Sequence, residues 1–350
     1  MQNQDIRIAI VGATGAVGAV ALDLLAGRNW PASRITAMAS SRSAGKKLAY
    51  AGPDSSQELT VIEATPDSFE GIDVAFISAN ASVSKRLAPE AVSRGALVID
   101  DGNAFRMDPA VPLVIPEVNG ADVEWHSGII SIPNCTTTPL VMALAALQQA
   151  AAITRVTAAT YQSVTGTGAA ALQELEDQTT AYVAGEELHA NVYPHQIVMN
   201  VLPHVDDFFD DGYTAEEHKM IDETRKIMHL PDLPIATTCV RVPVPTSHSE
   251  AVHVEFERPV DPEEARRLLS DFDGIALVDE PRSNQYPMPH TSAGRDEVFV
   301  GRVRKDLSHP NGIAFWLSCD NLRKGAALNA LQIMDEVVSR GRLRTTASTT

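Results

Sequence analysis

Apolar residues in the first third of the chain come in short unbroken runs: IRIAIV at 6–11, ITAMA at 35–39, IDVAFIS at 72–78, ALVID at 96–100 and GIISI at 128–132. Runs of this length, separated by helix-period segments, predict strands buried on both faces in a parallel sheet with crossover helices. Between the first two, Val17, Val20, Ala21, Leu24 and Leu25 recur at helical spacing, so one helix face packs on that sheet. From residue 155 the pattern changes. In AVHVEFE (251–257), Val252, Val254 and Phe256 alternate with His253 and Glu255, the mark of a sheet with one wet face. RVTAATY (155–161), EVFVGRV (297–303) and GIAFWLS (312–318) are further strands, set between longer insertions, which reads as α+β. Thr214 with Glu217, and Asp261-Pro262 with Glu264, mark two helix starts. A last helix follows Asn321 and decays into a polar tail expected to be disordered, 342–350. The change of pattern sets a domain boundary near Asn134.

Length agrees with this division, since 350 residues suggest roughly two domains. No apolar stretch approaches the roughly 18 residues of a membrane span, and the N-terminus runs into a strand without the features of an export signal. A cytoplasmic protein without a membrane partner is expected. The net charge of −17 argues against nucleic acid or an anionic membrane as partner. Cys135, Cys239 and Cys319 are far apart, with neither a disulfide framework nor metal-ligand spacing, so no metal is expected.

Two stretches carry candidate chemistry. GATGAVG follows the first strand and opens the first helix, with Gly12, Gly15 and Gly18 at G-x-x-G-x-x-G spacing, a variant of the dinucleotide fingerprint. An NAD site would place an acidic residue about 20 positions on. Here the second strand runs instead into SSRSAGK, where Ser40, Ser41, Arg42 and Ser43 suit a 2′-phosphate, which favours NADP. The second stretch is SIPNCTTTP. Cys135 precedes an apolar helix for which Thr136 or Thr137 is a candidate cap and Pro139 suits the first turn. Helix N-termini stabilise thiolates, so Cys135 is a candidate nucleophile as well as a candidate packing residue. His248, in a turn-rich stretch between two strands, is a candidate base, and Arg241 a candidate carboxylate receptor. Cys239 and Cys319, within strand-like runs, are assigned to packing, and His253 to structure.

GATGAVG, SSRSAGK, AFRMDPAVPLVIPEVN, PNCTT, YQSVTGTG, EEHKMIDETRKI, RVPVPTSHSEAVHVEF and DNLRKGAALNALQ together resemble the bacterial aspartate-semialdehyde dehydrogenases, in order and approximate spacing, from about residue 6 to 340. The resemblance implies a Rossmann-type NADP-binding domain with a mostly parallel sheet, 1–134, completed by a C-terminal helix at 322–341. It also implies an α+β catalytic and dimerisation domain, 135–321, and a homodimer. Cys135 is then similar to the acyl-thioester nucleophile, His248 to the general acid/base and Gln162 to the residue orienting substrate. Arg241, Glu216 and Asn134 resemble the substrate-binding set, with Arg241 on the α-carboxylate and Glu216 on the amino group. Arg106 and Lys219 resemble the phosphate-binding pair. Gly12, Thr14, Gly15, Ala16, Val17, Ser41, Arg42, Ser43, Thr165, Gly166 and Asn321 match positions lining the NADP site. The implied reaction is reductive dephosphorylation of 4-phospho-L-aspartate to the semialdehyde, with His248 stabilising the thiolate as imidazolium. Gly102 and Asn103 stand where the family usually has two serines, and Thr165 where it often has a serine. N-acetyl-glutamyl-phosphate reductases also use a cysteine thioester, but theirs sits in P-G-C-Y-P, unlike Pro133-Asn134-Cys135-Thr136-Thr137 here. A non-catalytic NADP sensor would not need the four residues Cys135, Gln162, Arg241 and His248.

Overall fold

The computed structural model describes residues 5–53 and 57–343, which leaves 344–350 of the polar tail outside the described residues. The chain divides into two units, Met1–Asn134 with Ala326–Thr350, and Cys135–Gly325.

In the first unit, β1 (Ile8–Val11) leads through a glycine turn into α1 (Ala16–Gly27) and back to β2 (Ile35–Ala39). A hairpin of β3 (Lys47–Tyr50) and β4 (Gln57–Thr60) follows, then β5 (Ile62–Glu63), β6 (Val74–Ile77), α2 (Ala81–Ser93), β7 (Leu97–Asp100), the short α3 (Pro116–Asn119) and β8 (Ile129–Ser131). The main sheet has the order β5-β2-β1-β6-β7-β8, and every pairing in it is parallel. β1, β6 and β7 are buried along their whole length, which is why they read as unbroken apolar runs. One face of the sheet packs Ile8, Ile10 and Phe76 with Leu25 of α1 and with Leu331, Met334 and Val337 of the C-terminal helix Leu328–Ser339. The other face packs Ala9, Val11 and Ile77 with Leu87 and Ala91 of α2. Val17 and Val20 of α1 are only partly buried at the edge of the first cluster. The C-terminal helix does not run regularly from Asn321 as expected: a π turn, Arg323–Ala327, precedes it.

The second unit opens with α4 (Thr137–Gln148), followed by β9 (Ile153–Gln162), α5 (Ala169–Ala184), α6 (Ala215–Ile227), β10 (Ile235–Arg241), β11 (His248–Phe256), α7 (Pro262–Asp271), β12 (Ile275–Leu277), α8 (Pro289–Ser292), β13 (Val298–Lys305) and β14 (Gly312–Cys319). Its mixed sheet has the order β10-β9-β11-β14-β13-β12, antiparallel except for the outer pairs β10 with β9 and β12 with β13. α4 is apolar on nearly every face and accordingly buried, packed against α6, α7 and β14. Thr214 and Glu217 form the expected capping box on α6. Asp261 caps α7 through the N–H of Glu263, so Glu264 takes no part in that cap. No helix among the described residues is long and apolar enough to cross a membrane.

Candidate active site

Cys135 lies one residue before the N-cap of α4, half-buried, with its Sγ 3.2 Å from Nε2 of His248. The expected side-chain cap is not formed. Thr136 has helical dihedrals, φ −88° and ψ −35°, whereas a capping side chain needs extended backbone to reach over the first turn. The helix start therefore keeps its partial positive charge for the thiol beside it. A Cβ at Gly325 would lie 3.0 Å from the Cβ of Cys135, so any larger residue would press on the thiol's own side chain. The other two thiols are buried in β10 and β14, and burial pushes both well above the ordinary thiol range.

His248 is not in a loop. It is the first residue of β11, paired with Cys319 of β14, and fully buried. Its Nδ1 lies 3.0 Å from the backbone N of Ser163, and a backbone N–H can only donate. Nδ1 is therefore the acceptor, and the neutral ring carries its proton on Nε2, facing sulfur. Burial, and then the neighbouring Arg241 guanidinium, hold the imidazole well below its ordinary range. The imidazolium expected from the reference value near 6.5 is thus disfavoured in the resting site. Ser163 Oγ, 3.1 Å from Nδ1, can accept from the ring when a second proton arrives.

Asn321 braces this arrangement. Its Oδ1 accepts from the N–H of Ser247 at 2.9 Å and the hydroxyl of Ser163 at 3.1 Å, while its Nδ2 donates to Thr165 Oγ1 at 3.2 Å. Ser247 has φ +77°, a conformation that a serine occupies only where its surroundings hold it there.

Gln162 and Arg241 end the parallel strands β9 and β10 and are register partners. Arg241 donates from Nη1 to the carbonyl of Ser163 at 2.6 Å, and its buried Nε finds no partner among the described residues. A buried guanidinium with a spare N–H suits a carboxylate ligand. Gln162 Oε1 accepts from Thr160 Oγ1, and its Nε2 donates to Glu216 Oε1, both at 2.9 Å. Glu216 Oε2 in turn accepts from Lys219 Nζ at 3.1 Å, and the same Nζ donates to Asp206 Oδ2 at 2.6 Å. Gly166 backs onto the cluster: a Cβ there would lie 2.9 Å from Arg241 Nη1 and 3.1 Å from His248 Nε2. Beneath these groups is Glu250, fully buried opposite Thr160 and Leu317, with no partner for either carboxyl oxygen. Burial raises its carboxyl well above the usual range, which favours the neutral form.

The first unit holds the remaining residues. Gly12, Thr14 and Gly15 form the turn from β1 into α1, and Ala16 and Val17 are the first residues of that helix, beside the point where strand order reverses between β1 and β6. Gly12 has φ +92°, and a Cβ on it would lie 2.2 Å from the carbonyl of Ser78. A Cβ on Gly18 would lie 2.2 Å from the carbonyl of Gly12. This is a cradle in which backbone approaches backbone, and it fits a dinucleotide pyrophosphate at the start of α1. Ser41, Arg42 and Ser43 form a 3₁₀ turn directly after β2, with Arg42 exposed and without an ion pair among the described residues. Arg106 is buried and donates to the carbonyl of Asp101 at 2.8 Å; Asn134 is buried at the end of the unit. Gly102 has a local reason, since a Cβ there would press on Ser84 Oγ at 2.9 Å. Among the described residues, no group of three or more His, Cys, Asp or Glu is placed to hold a metal.

The structure thus brings together Cys135, His248, Gln162, Arg241, Glu216, Lys219, Thr165, Gly166 and Asn321 within one unit. Ser163, Ser247, Asp206 and Gly325 belong to the same cluster and were not expected from sequence. Ser163 lies between Gln162 and Thr165 in YQSVTGTG, which was the available signal; Asp206 had none beyond the acidic run VDDFFDD.

Residues 7–126 match the model of the semialdehyde dehydrogenase NAD binding domain, and 144–324 that of the semialdehyde dehydrogenase dimerisation domain. The chain is 48% identical over 340 residues to the aspartate-semialdehyde dehydrogenase of Bacillus subtilis, covering 95% of this chain and 97% of that one. It is 49% identical over 339 residues to that of Aquifex aeolicus, covering 96% and 98%. Among solved structures, aspartate semialdehyde dehydrogenase II of Vibrio cholerae complexed with ASA is similar at a TM-score of 0.91 and 40% identity, covering 95% of this chain and 98% of the other.

Proposed function

Because this chain belongs to the aspartate-semialdehyde dehydrogenase family, we propose that it reduces 4-phospho-L-aspartate to L-aspartate 4-semialdehyde through a thioester on Cys135, with NADP as its cofactor. The observation that carries this reading is the 3.2 Å contact between Cys135 and His248 beside the Arg241, Gln162 and Glu216 cluster. Arg241 takes the α-carboxylate with its spare N–H, and Glu216 the amino group. The thiolate of Cys135 attacks the acyl carbon, the C–S bond forms, and the C–O bond to phosphate breaks. Arg106 and Lys219 neutralise the departing phosphate. Bound reduced nicotinamide supplies the hydride that turns the thioester into a thiohemiacetal. Nε2–H of His248 hydrogen-bonds first to the thiolate sulfur and then to the thiohemiacetal oxyanion, the proton staying on the ring. Collapse returns the thiolate and releases the aldehyde.

NADP rather than NAD is supported by Arg42 and its flanking serines after β2, with no carboxylate in their place. The match to a dimerisation domain supports a homodimer. The product suits a cytoplasmic route to lysine and diaminopimelate, threonine and methionine. The test is phosphate-dependent reduction of NADP by aspartate semialdehyde. Cys135→Ala should abolish it, and a near-normal rate in that variant would refute the thioester.

A further inference from the structure

We infer that Asp206 is an internal competitor for phosphate: its carboxylate occupies Lys219 in the resting site and must be exchanged for the phosphate that arrives or departs. This rests on the reading of Lys219 as a phosphate ligand. An ammonium has three N–H donors, and two of those on Lys219 already reach carboxylates, Glu216 at 3.1 Å and Asp206 at 2.6 Å. Each carboxylate on Lys219 takes a donor and offsets its charge, which opposes phosphate at this ammonium until one carboxylate gives way. Glu216 is the wrong one to move, because it is buried and its other oxygen holds Gln162. Asp206 is free to move: its side chain is 39% exposed, on a loop, with φ +68°.

The loop is built to present it. On one side the backbones of Leu202 and Arg241 exchange two hydrogen bonds, at 2.8 and 2.9 Å. On the other, Phe208 bridges to Thr214 and the N–H of Ala215 donates to the carbonyl of Asp207 at 2.8 Å. Asp206 therefore hangs between the strand that carries Arg241 and the helix that carries Glu216 and Lys219. Partial burial works to raise its carboxyl, and the contact with Lys219 outweighs this and holds it below the usual range.

Asp206→Asn removes the charge and keeps the shape, and asparagine accepts the left-handed backbone. In the phosphate-dependent assay, its KM for phosphate should fall about two- to fivefold, as expected for loss of one competing partly exposed charge. The KM for aspartate semialdehyde should move less than about twofold. Inhibition by phosphate of the reductive direction should tighten by the same factor. Asp207→Asn, which removes an equal charge from the exposed neighbour, should leave the KM for phosphate unchanged. If Asp206 were only a strut that aims Lys219, its loss would raise the KM for phosphate; a rise or no change in Asp206→Asn overturns the inference. A fall that persists in the Lys219→Met background also overturns it, because the effect would not pass through Lys219. Lys219→Met alone should raise the KM for phosphate more than about tenfold. Failure of that single variant overturns the phosphate reading of Lys219 and the inference with it, whereas its success beside an unresponsive Asp206→Asn overturns the inference alone.

Discussion

In the unit that carries the β1–α1 turn, the candidate site is made of backbone and space. Gly12 and Gly18 are held where any Cβ would meet a carbonyl, and Arg42 stands exposed without an ion pair among the described residues. In Cys135–Gly325 the candidate site is made of side chains already engaged with one another: Thr160, Gln162, Glu216, Lys219 and Asp206 form one hydrogen-bonded row, while Ser163, Asn321 and Thr165 form a brace behind His248. The difference follows from the two tasks. Binding a phosphate backbone needs N–H groups and close approach, which glycine allows at many positions. Orienting a reacting carbon needs a few groups held within a fraction of an ångström, which requires each to be fixed by a neighbour.

The contrast can be broken most sharply at Gly166. Gly166→Ala pushes a methyl against Arg241 and His248, and a displacement approaching 1 Å costs on the order of 100-fold in rate. We expect kcat to fall by about that factor with the melting temperature within about 2 °C of the parent. A parent-like kcat would mean that the network tolerates displacement and is not a fixed template. A smaller effect is expected in the cradle. Arg42→Ala should raise the KM for NADP about tenfold or more, the worth of one charged hydrogen bond, with little change for NAD. Equal effects on both cofactors would show that Arg42 does not read the 2′-phosphate.

The smallest effect concerns Glu250, whose carboxyl oxygens find no partner among the described residues. A buried carboxyl with a raised pKa contributes fully below its unfolded value near 4.5, and that contribution is lost as pH rises toward the folded value. Glu250→Gln removes this loss. Its melting temperature should match the parent at pH 4 and exceed it by about 2–4 °C at pH 8. Equal melting temperatures at both pH values would mean that Glu250 has an ionised-state partner in solution.

Much of the first unit was legible because its strands are buried on both faces, so hydropathy alone marks β1, β2, β6 and β7. β3, β4 and β5 escaped, since KLAY, QELT and IE are short and carry charges. In the second unit the alternation in β11 was visible from Ala251 onward. Its first three residues, His248, Ser249 and Glu250, are polar yet fully buried, and hydropathy assigns such residues to a loop. The position of Cys135 at a helix start was legible from PNCTTTP. The state of His248 was not, because it depends on Ser163, 85 positions away, and on burial that no local pattern encodes.

The C-terminal helix Leu328–Ser339 covers one face of the first unit's sheet, yet the chain reaches it only after making all of Cys135–Gly325. At a synthesis rate of about 5–20 residues per second, Ile8, Ile10 and Phe76 await Leu331 and Met334 for about 13–65 s. During that interval the nascent sheet exposes an apolar surface that only this much later segment closes. The molecule therefore finishes folding at its beginning, and a stop codon anywhere before residue 328 leaves the oldest part of the chain uncovered.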